Sequence, residues 1–190
     1  MKQWNILNLD NKLTNKLAND LNVSIDISKL LIKRGITDFD SAKDFFRPNL
    51  DNTHDPFLMK GMSLAVDRLI MAKNSNEKVL IYGDYDVDGT TSVSMMYLFL
   101  ASQAINCQFY IPDRYEEGYG LSKKGINFAY KEKISLIITL DCGIRAVKQV
   151  NYANKKGIDI IICDHHNPGT ILPEAHTILN PKQIDCHYPF

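Results

Sequence analysis

Asp84, Asp86 and Asp88 alternate along the stretch Val79-Leu-Ile-Tyr-Gly-Asp-Tyr-Asp-Val-Asp-Gly-Thr-Thr-Ser92, directly after a short apolar run. In an extended chain such alternation brings three negative charges within a few ångströms, a repulsion that a cation or protonation relieves. Two further stretches offer partners of the same kind. Leu136-Ile-Ile-Thr-Leu140 runs into Asp141-Cys-Gly143, and Ile158-Asp-Ile-Ile-Ile162 runs through Cys163 into Asp164-His-His166. Aspartates and imidazoles without thiolate spacing suit Mn²⁺ or Mg²⁺ better than structural zinc. Paired ions bridged by a carboxylate would polarise a phosphoryl oxygen and activate water at neutral pH. The opening Asp84-x-Asp86-x-Asp88-Gly89 also matches an EF-hand loop, but its twelfth position is Met95 instead of a bidentate Glu, and a strand-like run precedes it.

For these acids to meet, the elements carrying them must deliver them to one edge. From Lys78 onward the pattern alternates: strand 79–82, helix 91–102, strand 107–111, helix 122–131, strand 134–140, helix 145–156, strand 158–163. That rhythm predicts an α/β fold, a parallel sheet with right-handed crossovers and helices on both faces. Strands that are nearly continuous apolar runs fit coverage on both sides. Ligands of such sheets collect at the carboxyl ends of the strands, where all three acidic stretches lie. Gly89 permits a tight turn, and Thr90, Thr91 and Ser92 are the expected caps of the helix that follows. The remainder, 167–190, reads as loops around one strand near Thr177–Leu179.

Residues 1–75 read as a helical preface, with Leu13, Leu17 and Leu21 on one face and Ser28 as a cap for a helix ending at Gly35. A short helix over 41–46 stops before Pro48, and one over 61–73 carries Met62, Val66, Leu69 and Ile70 on its apolar side. Trp4, Phe39, Phe45 and Phe46 are assigned to the core rather than to a base-stacking platform. Residues 76–190 then form the α/β domain, expected to be incomplete at its carboxyl end because no helix caps the final strand.

Composition narrows the setting. Lys plus Arg equals Asp plus Glu at 22 each, so any nucleic-acid contact must rest on local charge. The four cysteines show no paired spacing, the amino terminus has no signal-peptide apolar core, and no window approaches a membrane span. The expected compartment is the cytoplasm, with no membrane partner.

Gly83-Asp-Tyr-Asp-Val-Asp-Gly89, Leu140-Asp-Cys-Gly143 and Cys163-Asp-His-His-Asn-Pro-Gly169 resemble the first three motifs of the DHH phosphoesterase superfamily. Further stretches, Arg34-Gly-Ile36, Phe46-Arg-Pro48, Asp113-Arg-Tyr-Glu-Glu-Gly-Tyr-Gly-Leu121 and Leu179-Asn-Pro181, are similar to the bacterial single-strand-specific 5′ to 3′ DNA exonucleases within it. The resemblance implies Asp84, Asp86, Asp141 and His165 as metal ligands, His166 at the scissile phosphate and Asp88 in a supporting catalytic role. Arg114, Tyr119 and Gly120 are the candidate substrate-binding residues, with Lys123 and Lys124 flanking them. It also implies a Mn²⁺ or Mg²⁺ pair, single-stranded DNA as partner, and repair and recombination as setting, in company with repair or replication proteins. Leu80 stands where phosphatase-like members carry a histidine, and a further downstream aspartate expected of the family lies beyond residue 190. Small-substrate hydrolysis of short oligonucleotides, cyclic dinucleotides or pyrophosphate, and a non-catalytic scaffold, are the alternatives.

Overall fold

The computed structural model describes residues 8–189; Trp4 lies outside them. Two compact units divide between His54 and Asp55. The helix over Met62–Asn74 therefore belongs with the sheet, not with the preface through residue 75 that the sequence suggests.

The smaller unit contains α1 (Asn11–Leu21), α2 (Ile25–Lys33) and α3 (Phe39–Phe46) around Leu17, Leu31, Ile36 and Ala42. Ser24, not Ser28, caps α2, and its Oγ accepts from Ile27 N. Ser28 is buried four residues later and donates to the Thr14 carbonyl at 2.7 Å, tying α2 to α1. The phenylalanines are not core. Phe39, Phe45 and Phe46 are each more than half exposed, because α3 buries only Ala42 against so small a nucleus.

The larger unit carries α4 (Met62–Asn74), β1 (Val79–Gly83), α5 (Val87–Ser102), β2 (Cys107–Tyr110), α6 (Lys123–Lys131), β3 (Leu136–Leu140), α7 (Val147–Asn154), β4 (Asp159–Cys163) and β5 (Thr177–Leu179). Its strands form one wholly parallel sheet in the order β2-β1-β3-β4-β5. The pleat sends alternate residues to opposite faces. Leu80, Tyr82, Ile137, Ile160 and Ile162 pack with α6 and α7, whereas Val79, Ile81, Leu136, Ile138 and Ile161 pack with α4 and α5. Both faces are covered, which is why β1 and β3 are buried throughout and read as unbroken apolar runs.

The buried stripe of α4 is Ala65, Arg68 and Ala72; Ile70 points to solvent, contrary to the apolar side expected for it. Arg68 replaces an apolar contact with a polar one. Its Nε donates to Asp159 at 2.7 Å and one terminal nitrogen to Glu77 at 2.8 Å, while Ser135 also donates to Glu77.

Candidate metal centre

Register builds this site. Gly83 pairs with Leu140, and Leu140 with Cys163, so Asp84, Asp141 and Asp164 each follow the last paired residue of three adjacent strands. Strand order reverses between β1 and β3, since β2 lies on one side of β1 and β4 beyond β3 on the other. Such a switch point opens the crevice in which doubly wound sheets bind ligands.

The first motif does not stay extended. Asp86 caps α5, its Oδ1 accepting from Gly89 N at 2.9 Å, so the helix begins at Val87 and not at 91. The hydroxyls of Thr90, Thr91 and Ser92 turn back to the carbonyls of Asp86, Val87 and Asp88 instead of capping. This fold-back needs Gly89, because a Cβ there would lie 2.5–2.8 Å from backbone atoms of Asp84. Asp88 is carried into the exposed first turn of α5, away from the line of three acids that alternation alone suggests.

Asp84 is fully buried and accepts from Tyr85 N at 2.7 Å and Gly120 N at 2.6 Å. Burial pushes its carboxyl above the ordinary range, and the Asp86 charge adds to this against the opposing backbone donors. Asp141 is likewise raised by burial and then by Asp86, with His165 and His166 partly offsetting. The backbone at Asp141 is left-handed (φ 59°) and is held by its N–H to Cys163 O at 2.9 Å. That turn aims its carboxylate at His165 Nε2, 2.9 Å away. Asp141, His165 and His166 each offer a ligand atom, all within 4.8 Å of one another. Asp86 Oδ2 makes no hydrogen bond among the described residues, and the Asp86 charge is close enough to act on both Asp84 and Asp141.

Asp164 is visible in the sequence as a strand-end acid, but its work is distinct. Its buried carboxylate accepts from Ile144 N (2.9 Å), His165 N (2.7 Å), His166 N (3.0 Å) and His166 Nδ1 (2.7 Å). Burial pushes its carboxyl up, but the His166 and Ile144 backbone donors and the His166 ring outweigh this and hold it below the ordinary range. An ionised carboxylate can only accept, so His166 Nδ1 carries the proton and Nε2 is left to face the crevice. Asn180 donates to the His166 carbonyl at 3.0 Å and steadies the same loop. Oxygen and imidazole donors around raised carboxylates fit a hard divalent cation, and the hydrogen-bonded second nitrogen of His166 is the support metal-site histidines ordinarily have.

The loop 113–122 closes one side. Glu117 accepts from Tyr110 OH, from Asp113 N at 3.0 Å and from Ser122 Oγ. Tyr82, which reads from sequence only as a strand residue, reaches out of the sheet to donate to Gly120 O at 2.9 Å and accept from Ser122 N at 3.1 Å. Gly120, at φ 85°, is thereby placed to give its N–H to Asp84. The Tyr119 ring packs edge-on to Tyr85 and His166, and its hydroxyl reaches the Asp141 carbonyl at 3.4 Å. Burial, then Asp141, Asp84 and Asp86, push its phenol upward, so it remains a proton donor. Arg114 lies over the Tyr85 ring, 4.6 Å from its centroid. Lys124 is tied to Glu116 at 2.5 Å and Lys123 sits over Tyr152, so the two lysines flanking the turn are spoken for within the fold.

Similarity to known proteins agrees with this geometry. The chain is 42% identical over 188 residues to the single-stranded-DNA-specific exonuclease RecJ of Bacillus subtilis, an alignment covering 99% of this chain and 24% of that protein. It is 37% identical over 132 residues to the RecJ of Escherichia coli, covering 69% of this chain and 23% of the relative. The chain thus spans about a quarter of the length of these curated relatives. Among solved structures, exonuclease RecJ bound to manganese superposes with a TM-score of 0.64 at 28% identity, over 70% of this chain and 34% of the other. The fold of RecJ from Thermus thermophilus matches with a TM-score of 0.65 over 93% of this chain and 24% of that one, at 22% identity. With the DHH family, N-terminal domain, matched across residues 78–187, more than half of its length, the chain belongs to the DHH family.

Proposed function

We propose that this chain forms part of the catalytic core of a metal-dependent phosphodiesterase that removes nucleotides from the 5′ end of single-stranded DNA, in repair and recombination. The observation that carries the reading is the convergence of Asp141, His165 and His166 at the β1/β3 switch point beside Asp84 and Asp86. Substrate and polarity rest on similarity to proteins named single-stranded-DNA-specific exonucleases. Manganese in a related structure supports Mn²⁺, with Mg²⁺ the chemical alternative. The domain at 76–190 is taken as one part of the active unit, since those relatives are about four times as long.

In this reading Asp84, Asp86, Asp141 and His165 hold the ions. Bound divalent ions supply charge neutralisation at phosphoryl oxygens and acidification of water. His166, fixed by Asp164, presents Nε2 to the scissile phosphate. Tyr119 walls the crevice and keeps its hydroxyl proton, and Arg114 supplies positive charge beside Tyr85 for the strand backbone. Gly120 acts through its N–H on Asp84, which sets that ligand's orientation. Asp88, exposed on α5, contributes negative charge at the rim.

The test is release of nucleotides from a 5′-labelled single strand, against a dinucleotide, by the full-length protein in Mn²⁺. Rapid release from the strand that disappears in Asp141→Asn is expected. Preferential turnover of the dinucleotide would instead establish the small-substrate reading.

A further inference from the structure

Beside His166 a cavity of about 430 Å³ opens between the Tyr119–Leu121 turn, the 142–146 loop and α7. That volume is in the range of small-molecule sites. None of Asp84, Asp86, Asp141 and His165 lines it; it shares Tyr119, Gly120, Asp164 and His166 with the metal centre and adds groups of its own. One wall is apolar, from Leu121, Ile144 and Ala146; the rim carries Arg145, Gln149 and Asn167. Among the described residues that line it, the only carboxylate is that of Asp164, whose oxygens are taken by four donors from Ile144, His165 and His166. That lining therefore offers no free negative charge to attract a cation.

Arg145 is held in place without being neutralised. Its Nε donates to the Asn167 carbonyl at 2.8 Å, and it makes no ion pair among the described residues. Fixing the guanidinium through Nε leaves both terminal nitrogens to give a two-pronged contact to a phosphate or a flat surface to a base. The side-chain amides of Gln149 and Asn167 likewise make no hydrogen bond within the described residues. An apolar wall with amides and one anchored arginine matches the parts of a nucleotide: base, base edge and phosphate.

We infer that this cavity is a nucleotide subsite, holding one nucleotide of the strand next to the phosphate that faces His166, with Arg145 and Gln149 as binding residues. The inference rests on the proposed hydrolase reading but makes a separate demand. Deoxyadenosine monophosphate should compete with the labelled strand in the full-length protein, and deoxyribose 5-phosphate, which lacks the base, should compete more weakly. Arg145→Ala should raise both KM for the strand and the inhibition constant for deoxyadenosine monophosphate roughly tenfold, the worth of one charge-assisted contact, with kcat nearly unchanged. Arg145→Lys should recover part of this loss. Gln149→Leu should alter the preference between deoxyadenosine and deoxythymidine monophosphates while leaving deoxyribose 5-phosphate binding as it was. Arg145 is exposed, so these variants should fold, and thermal melting checks that. Unchanged KM and inhibition constants in a folded, active Arg145→Ala protein would overturn the subsite. If the wild-type protein hydrolyses no strand, the hydrolase reading fails instead, and calorimetric titration of deoxyadenosine monophosphate into wild type and Arg145→Ala still decides the cavity.

Discussion

Replacing Asp164 by Asn exchanges one oxygen for an NH₂ group and changes hardly any volume, yet the hydrogen-bond geometry sets a large effect. Oδ1 accepts three donors, from His165 N, His166 N and His166 Nδ1, and Oδ2 accepts one, from Ile144 N. The amide of Asn must place its NH₂ on one side. The less costly choice faces Ile144, which strands a buried N–H against another donor at a cost of roughly 1–3 kcal/mol. The three remaining bonds also lose the ionised acceptor, so a total of about 3 kcal/mol is expected, comparable with breaking a buried charge pair. For a chain of this size that corresponds to a fall in Tm of about 6–12 °C. Urea or thermal unfolding with chelator present reads this without any contribution from bound ions. The second consequence is at the ligands: the His165 N–H then leans on a neutral acceptor, the turn that presents His165 loosens, and affinity for Mn²⁺ should fall about 10–100-fold by paramagnetic resonance titration. A variant with unchanged Tm and unchanged Mn²⁺ affinity would show that Asp164 neither supports the loop nor orients His166.

Asp141→Asn should keep the left-handed turn, which Asn tolerates, and lose Mn²⁺ binding, whereas Asp141→Val should also lose about 1–2 kcal/mol of stability; equal Tm values for the two would refute strain at this position. Gly89→Ala normally favours a helix, but here the Cβ meets the Asp84 backbone, so a net loss of about 1–3 kcal/mol in unfolding experiments and weaker Mn²⁺ binding are expected. Burial raises the Glu77 carboxyl, but the Ser135 and Arg68 contacts outweigh it and hold the group below its ordinary 4.5. Its contribution is therefore complete above the unfolded value and lost as pH falls through the lower folded value. Glu77→Gln should be less stable than wild type at neutral pH and show a shallower acid decline, and parallel stability–pH curves would refute the coupling.

The sheet is legible in the sequence because each strand is an apolar run terminated by an acid or a turn, and a parallel arrangement brings those ends together whatever the helices do. Asp84 and Asp141 can be placed on that argument alone. What escapes it is local. Alternation at Asp84, Asp86 and Asp88 looks like extended chain, but Asp86 takes the backbone of Gly89 and starts a helix a few residues after the strand, which sends Asp88 outward. The apolar periodicity of α4 misleads because Arg68, paired with Asp159 and Glu77, occupies the place an apolar residue is expected to fill. Phe39, Phe45 and Phe46 belong inside by the ordinary behaviour of aromatics, but a three-helix nucleus has no volume for them. Gly120 and Tyr82 carry no sequence signal for their partners, since both contacts bridge more than 35 positions of chain.

The shared row of Asp84, Asp141 and Asp164 has a bearing on which insertions and deletions the chain tolerates. Helices and crossovers connect the strands over the faces of the sheet, and length added there changes nothing in the pairing of Gly83 with Leu140 and Leu140 with Cys163. One residue gained or lost inside β1, β3 or β4 is another matter, because it either advances an aspartate past its neighbours or turns an apolar face outward. A library of single-residue insertions should accordingly survive in the exposed turns after α6 and α7 and die within the three central strands, so that the gaps between the acidic stretches are elastic while the phase inside each strand is not.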